Sequence, residues 1–184
     1  MFKTLVRTDP YTGKDKREAV YIGSYFGFPV EDARRRRVCG WAVALWALAL
    51  GAMIGCGLIN YNGSRCFYVL PFYLFSVFPL FYGGWGALRL ARCKARITAV
   101  DKDEGYDRLR SSAIGLAILS GLHTIGEIVL MLLGGADGAL VREIVCAALM
   151  AGTGVCALVT LRLIQPLEPV AEAKDEPADE DALD

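Results

Sequence analysis

RRRRVCGWAVALWALALGAMIGCGLI, residues 34–59, decides the fold: four consecutive arginines are followed by 22 residues without a charge. A hydrocarbon core about 30 Å thick needs about 20 apolar residues in a helix that rises about 1.5 Å per residue. Residues 38–59 meet that length, and so do three further runs, 66–88, 112–133 and 139–161. Backbone groups in lipid must be paired within their own segment, so each run is read as a helix. One such run could be a buried helix of a soluble domain, but four in 184 residues point to an integral membrane protein of the all-α class.

The whole chain agrees with its parts. With 54% apolar and 22% charged residues and a mean hydropathy of +0.38, it is too apolar for an ordinary soluble domain or a disordered protein. Six cysteines are too few for a disulfide scaffold. No continuous apolar run precedes residue 38, so the first helix is expected to act as a signal anchor rather than a cleaved signal peptide. Phe2, not Gly, follows Met1, so no N-terminal lipidation is expected.

Twenty basic and twenty acidic side chains cancel to zero, but they are not mixed. Residues 1–37 hold nine Lys/Arg against five Asp/Glu, residues 89–110 hold seven against four, and residues 162–184 hold two against eight. Lys and Arg set orientation while acids contribute little, which places the N-terminus and the middle segment in the cytoplasm. Four spans then return the C-terminus to the same side. Residues 60–65 and 134–138 are short and contain Gly, as expected of tight external hairpin loops. The expected architecture is two antiparallel helical hairpins, N-in and C-in, in the cell membrane. A cytoplasmic segment 1–37 precedes a four-helix bundle 38–164, which carries a cytoplasmic connector 89–111; a disordered acidic tail 165–184 follows.

Outside the spans, Asp9-Pro10-Tyr11-Thr12-Gly13 is a turn signal between Thr4-Leu5-Val6 and Ala19-Val20-Tyr21-Ile22, which can pair as a small hairpin. Tyr21, Tyr25, Phe26 and Phe28 beside the four arginines suggest rings at the lipid interface and guanidinium groups on phosphates. The connector is expected to re-enter a helix near Thr98 or Asp101, with Asp103 and Glu104 in its first turn and Gly105 weakening it.

Ionisable residues inside a span are costly and are the first place to look for function. His123 and Glu127 stand four apart on one face of the third helix, and Arg142 and Glu143 open the fourth. Two readings compete. In one, Glu127 pairs with Arg142 across the second hairpin and His123 bonds a neighbour such as Ser76 or Thr153, a structural clasp. In the other, His123 and Glu127 relay protons or bind a cation. No Cys pair is spaced C-x-x-C, so neither a thiol oxidase nor a zinc site is expected, although a Cys56–Cys66 bridge at the outside is conceivable. The second helix carries nine of the nineteen aromatics together with Pro71 and Pro79, both expected to bend it the same way. Such a helix packs and anchors through its rings, or lines a groove for a lipid tail. Ala47, Gly51 and Gly55 on the first helix, and Ala148 and Gly152 on the fourth, are small-residue lines that let helices approach closely.

No hydrolase, kinase, P-loop, dinucleotide or HExxH pattern is present, so no enzymatic activity, cofactor or metal is expected. The leading expectation is a non-enzymatic accessory or interaction subunit, with the bilayer and a homo-oligomer or membrane-protein partner as its contacts and no nucleic acid. The alternative is a small transporter or channel built on His123 and Glu127.

Overall fold

The computed structural model describes residues 2–8, 15–21, 24–59, 61–134 and 140–172, with side chains from residue 24 onward. Among the described residues the structure is mostly helical, 81%, in four helices. They are α1 (Asp32–Leu58), α2 (Leu70–Arg92), α3 (Ala99–Leu132) and α4 (Leu140–Ile164). Helices α1, α3 and α4 are long and apolar enough to cross a membrane. Helix α2 is lower in hydropathy because tyrosines, glycines, a tryptophan and two prolines dilute its Leu and Phe.

One rule describes all four cores. The buried positions of α1 are Cys39, Ala42, Trp46, Ala49, Met53 and Cys56, which step alternately three and four residues. Ser76, Leu80, Gly83, Ala87 and Leu90 do the same on α2, and Leu109, Ala113, Leu116, Ser120, His123 and Glu127 on α3. On α4 the sequence is Glu143, Cys146, Met150, Thr153, Ala157, Thr160 and Ile164. A period of 3.5 is that of a left-handed bundle with interlocking side chains. Each helix packs on two neighbours, in the ring order α1, α2, α3, α4.

The outer faces are apolar as well. Trp41, Leu48, Phe78, Ile118 and Leu158 are each more than half exposed. A bundle that meets water turns polar residues outward; this one buries Ser76, Ser120, Thr153 and Thr160 and leaves many large apolar side chains exposed.

Close approach uses different residues from those the small-residue lines suggest. Ala47, Gly51 and Ala148 lie on outer faces, and a Cβ at Gly51 or Gly152 would meet nothing within 4 Å. Only Gly55 touches a neighbouring helix, at Leu149. The crowded glycines are Gly83, whose Cβ would collide with the Trp46 ring, and Gly86, whose Cβ would fall 3.0 Å from the Leu109 amide. In the notch at Gly83 the Trp46 indole donates to the Leu80 carbonyl at 2.6 Å, which ties α1 to α2.

The helix ends also move. Arg34, Arg35, Arg36 and Arg37 continue α1 down to Asp32 rather than preceding it. Because α2 begins at Leu70 and not at residue 66, Pro71 occupies its first turn, where no N–H is required, and only Pro79 interrupts the ladder. Thr98 caps α3 as expected: its hydroxyl accepts from the Asp101 amide at 3.2 Å while the Asp101 carboxylate accepts from the Thr98 amide. Gly105 lies in a π-helical stretch, Lys102–Asp107, where a Cβ would sit 3.5 Å from the Leu90 backbone. It marks a helix crossing rather than a weak helix.

The all-α expectation needs correction at the end of the bundle that gathers the N-terminal segment, the connector and the tail, here the termini end. Strands β1 (Phe2–Thr8) and β2 (Asp15–Tyr21) form an antiparallel hairpin with Thr4 opposite Ala19, in the expected place. Strand β3 (Tyr25–Gly27) pairs on one side with β4 (Arg96–Thr98) and on the other with β5 (Val170–Ala171). Residues 165–172 are therefore structured, in contrast to the disorder expected from residue 165. Leu167 is fully buried, Arg96 pairs with Glu172 at 2.6 Å, and Arg110 pairs with Glu168 at 3.8 Å. Residues 173–184 lie outside the described residues.

The aromatic stretch is likewise turned onto the protein's own cations: Arg96 lies over Tyr25, Lys102 over Phe26 and Arg35 over Phe28. Arg35 is buried and donates to the Cys93 carbonyl at 2.7 Å, capping the C-terminus of α2. Tyr21 falls outside the described side chains.

Gly83→Val should lower the thermal unfolding midpoint in detergent by several degrees, since overpacking a tight crossing costs about 1–3 kcal/mol. Gly51→Val should leave the midpoint unchanged. Equal effects at the two positions would refute this assignment of the packing faces.

Candidate functional site

At the opposite end, here the loop end, the connection between α1 and α2 does not stand away from the bundle. Its 3-10 turn, Asn62–Arg65, folds inward, so that Tyr61 and Gly63 are buried. The Ser64 hydroxyl donates to the Tyr61 carbonyl at 2.6 Å and tightens the turn.

The reason for the inward fold is a carboxylate on α4. Glu143 is 0% exposed, and its two oxygens accept from the Asn62 amide at 2.5 Å and the Gly63 amide at 3.4 Å. A short helical turn leaves its first N–H groups without internal partners, and a carboxylate is the strongest acceptor available for them. The side chain on α4 thus caps a turn that belongs to a distant part of the chain.

Glu127 on α3 faces Glu143 beneath the same turn. It too is 0% exposed, and a Cβ at Gly63 would collide with its Oε1. Only glycine fits over this carboxyl group. His123, one turn away on α3, places Nε2 3.8 Å from Glu127 Oε1 and 3.5 Å from the Tyr61 hydroxyl. Cys56 donates to that hydroxyl at 3.7 Å, and the Cys146 thiol donates to the Cys56 carbonyl at 3.8 Å. Both Glu127 oxygens and His123 Nδ1 have no hydrogen-bond partner among the described residues.

Of the expected site residues, His123 and Glu127 come together and Arg142 does not join them. Arg142 is on the exposed face of α4, and the expected Glu127–Arg142 pair gives way to the Glu127–Glu143 juxtaposition. One residue along a helix turns the side chain by about 100°, which separates Arg142 from Glu143. His123 does not bond Ser76 or Thr153, because those hydroxyls are already spent on the carbonyls of Phe72 and Leu149 in their own helices. Tyr61 and Gly63 are the residues that reading the sequence missed, and Glu143, noted at the start of the fourth helix, was given no role there. Glu143 did carry a signal, since it starts the stripe that runs through Cys146 and Met150.

Chemically the cluster offers a carboxyl and an imidazole able to hold a proton between them, two thiols and a phenol. Among the described residues, all six cysteines are free, so Cys56 and Cys66 are not bridged. No three His, Cys, Asp or Glu among the described residues are arranged to hold a metal ion. Further towards the termini end, Met53, Leu80 and Leu116 belong to the apolar core. The buried hydroxyls along it do not form a relay: Ser120 and Thr160, like Ser76 and Thr153, donate to carbonyls of their own helices. The chain matches no protein-family model, no curated protein and no solved structure.

Gly63→Ala should destabilise the protein by about 1–3 kcal/mol in detergent unfolding, because the methyl group collides with Glu127. The double variant Gly63→Ala/Glu127→Ala should recover most of that loss. Additive losses would show that the turn does not rest on Glu127.

Proposed function

We propose that the protein is a non-enzymatic, four-span protein of the cell membrane that works as an accessory or interaction subunit through its termini end. The observation that carries this reading is the β4–β3–β5 sheet, in which the N-terminal segment, the connector and the tail are built into one layer. Beside it, Arg34, Arg36 and Arg37 remain exposed on the first turns of α1. A layer assembled from three separate segments presents a fixed, charged surface, which suits recognition of a membrane-protein partner or a second copy.

Several features support the threading. Helix α2, at 23 residues, is long enough to span and sits between α1 and α3, and its only charges are Arg89 and Arg92 in the last turn. Counting it as a span gives four, and the positive-inside rule then orients the termini end towards the cytoplasm. Cys66 belongs to the loop end and Cys93 to the termini end. In intact cells Cys66 should react with an impermeant thiol reagent, and Cys93 only after permeabilisation. Burial raises the Cys93 thiol above its ordinary range, so labelling belongs at mildly alkaline pH, where more thiolate is present. The reverse pattern would overturn the orientation.

A photo-crosslinking residue at Arg37 should give discrete protein adducts in living cells, and the same residue at lipid-facing Leu122 should give none. A second reading, a small transporter, is favoured by one observation, the buried pairing of His123 with Glu127, whose carboxyl oxygens have no hydrogen-bond partner among the described residues. It predicts flux driven by a pH gradient in vesicles containing only this protein, lost in Glu127→Gln. Such flux, with no adducts at Arg37, would replace the first reading with the second.

A further inference from the structure

Between α2 and α3, near the termini end, a groove of about 880 Å³ opens on the outer surface of the bundle. Its wall is aromatic: Phe78, Phe81 and Trp85 are each more than 60% exposed there. Phe78 and Trp85 are seven residues apart, so the wall runs about 10 Å along the helix axis. Pro79 lies in the same wall.

The end of the groove nearest the termini is different in kind. Arg108 lies over the Tyr82 ring at 4.4 Å, and its Nε has no hydrogen-bond partner among the described residues. Ser112 sits one turn further along α3, 4% exposed, and its hydroxyl also has no partner there. At Gly83 a Cβ would lie 2.7 Å from the Ser112 Cβ, so α2 and α3 pack closely behind this corner.

The charge arrangement around it is selective. Arg89 is held by Asp101 and Glu104, Arg96 by Glu172, Lys102 by Asp107 and Arg110 by Glu168. Arg108 has no carboxylate partner among the described residues, and none lines the groove. A half-buried guanidinium with an unused donor, beside an unused hydroxyl and at the end of an apolar wall, is complementary to an amphiphile with an anionic head.

We propose that this groove binds an anionic phospholipid, with its phosphate on Arg108 and Ser112 and an acyl chain along Phe78 and Phe81. The proposal rests on the reading of the chain as a membrane protein with α2 as a span. That reading puts Arg108 at headgroup depth, where the leaflet supplies both the anion and the chain. Free phosphate would share the charge but leave the aromatic wall without a role.

The test uses the full-length protein, delipidated in detergent and titrated in native mass spectrometry with dioleoyl phosphatidylglycerol or dioleoyl phosphatidylcholine. One basic side chain near a lipid surface contributes about 1 kcal/mol, so wild type should favour the anionic lipid about fivefold. Arg108→Gln should abolish the preference, and Arg92→Gln, an exposed position outside the groove, should keep it. Ser111→Trp, which fills the groove from an exposed position, should reduce retention of both lipids. Inorganic phosphate at millimolar concentration should not displace the bound lipid.

Equal binding of the two lipids by wild type, an unchanged preference in Arg108→Gln, or unchanged retention in Ser111→Trp would each overturn the proposal. Displacement by phosphate would reassign the site to the free anion and equally overturn it. Co-flotation with vesicles of either composition separates the two ways to fail. A protein that does not float would contradict the membrane reading, and one that floats but shows no lipid preference would contradict the groove alone.

Discussion

The contact on which the loop end depends is the Glu143 carboxylate accepting the backbone N–H groups of Asn62 and Gly63. A carboxylate at 0% exposure is tolerated only where donors surround it. The turn has N–H groups that need an acceptor, the carboxylate needs donors, and each satisfies the other. From that exchange follow the inward fold of the connection between α1 and α2, the glycine at position 63 and the enclosure of Glu127 and His123. Helices α3 and α4 are thereby joined to the first hairpin through the turn, in addition to their packing in the ring.

The rest of the bundle obeys the same constraint in a quieter form. Alternate steps of three and four place Ala, Gly, Ser, Thr and Cys inside, with Trp46, Leu80, Leu116 and Met150 filling the space between them. The hydroxyls of Ser76, Ser120, Thr153 and Thr160 are satisfied within their own helices, so they let backbones approach without binding one helix to another. Many other large apolar side chains point outward, where a lipid solvent would cover them. At the termini end the means of holding change: ion pairs, cation–π contacts and a three-stranded sheet join the apolar packing.

An uncharged run of about 20 residues is long enough to cross a bilayer and too apolar to face water, which made the helices legible in the sequence. The Thr98 cap and the first hairpin were legible for similarly local reasons. Faces and ends were less so. When both sides of a helix are apolar, the contrast that marks the buried side of a soluble helix is weak. The line Ala47–Gly51 therefore pointed to a packing face that the structure turns outward, and Arg142 drew attention from Glu143 beside it. Helix ends shifted because charge was taken as the boundary, whereas the arginines of α1 and the acids before Arg108 continue their helices beyond the apolar runs. The Gly63 position depends on a contact between segments about 80 residues apart, and no local pattern encodes it.

Everything at the loop end requires that the turn Asn62–Arg65 be a buried plug held by Glu143. Hydrogen–deuterium exchange on the protein in lipid nanodiscs, followed on peptides that cover the turn, tests this most directly. The Asn62 and Gly63 amides should exchange as slowly as those in the middle of α3 and α4, and Glu143→Ala should release them. Exchange in wild type at the rate of an open loop would contradict the plug.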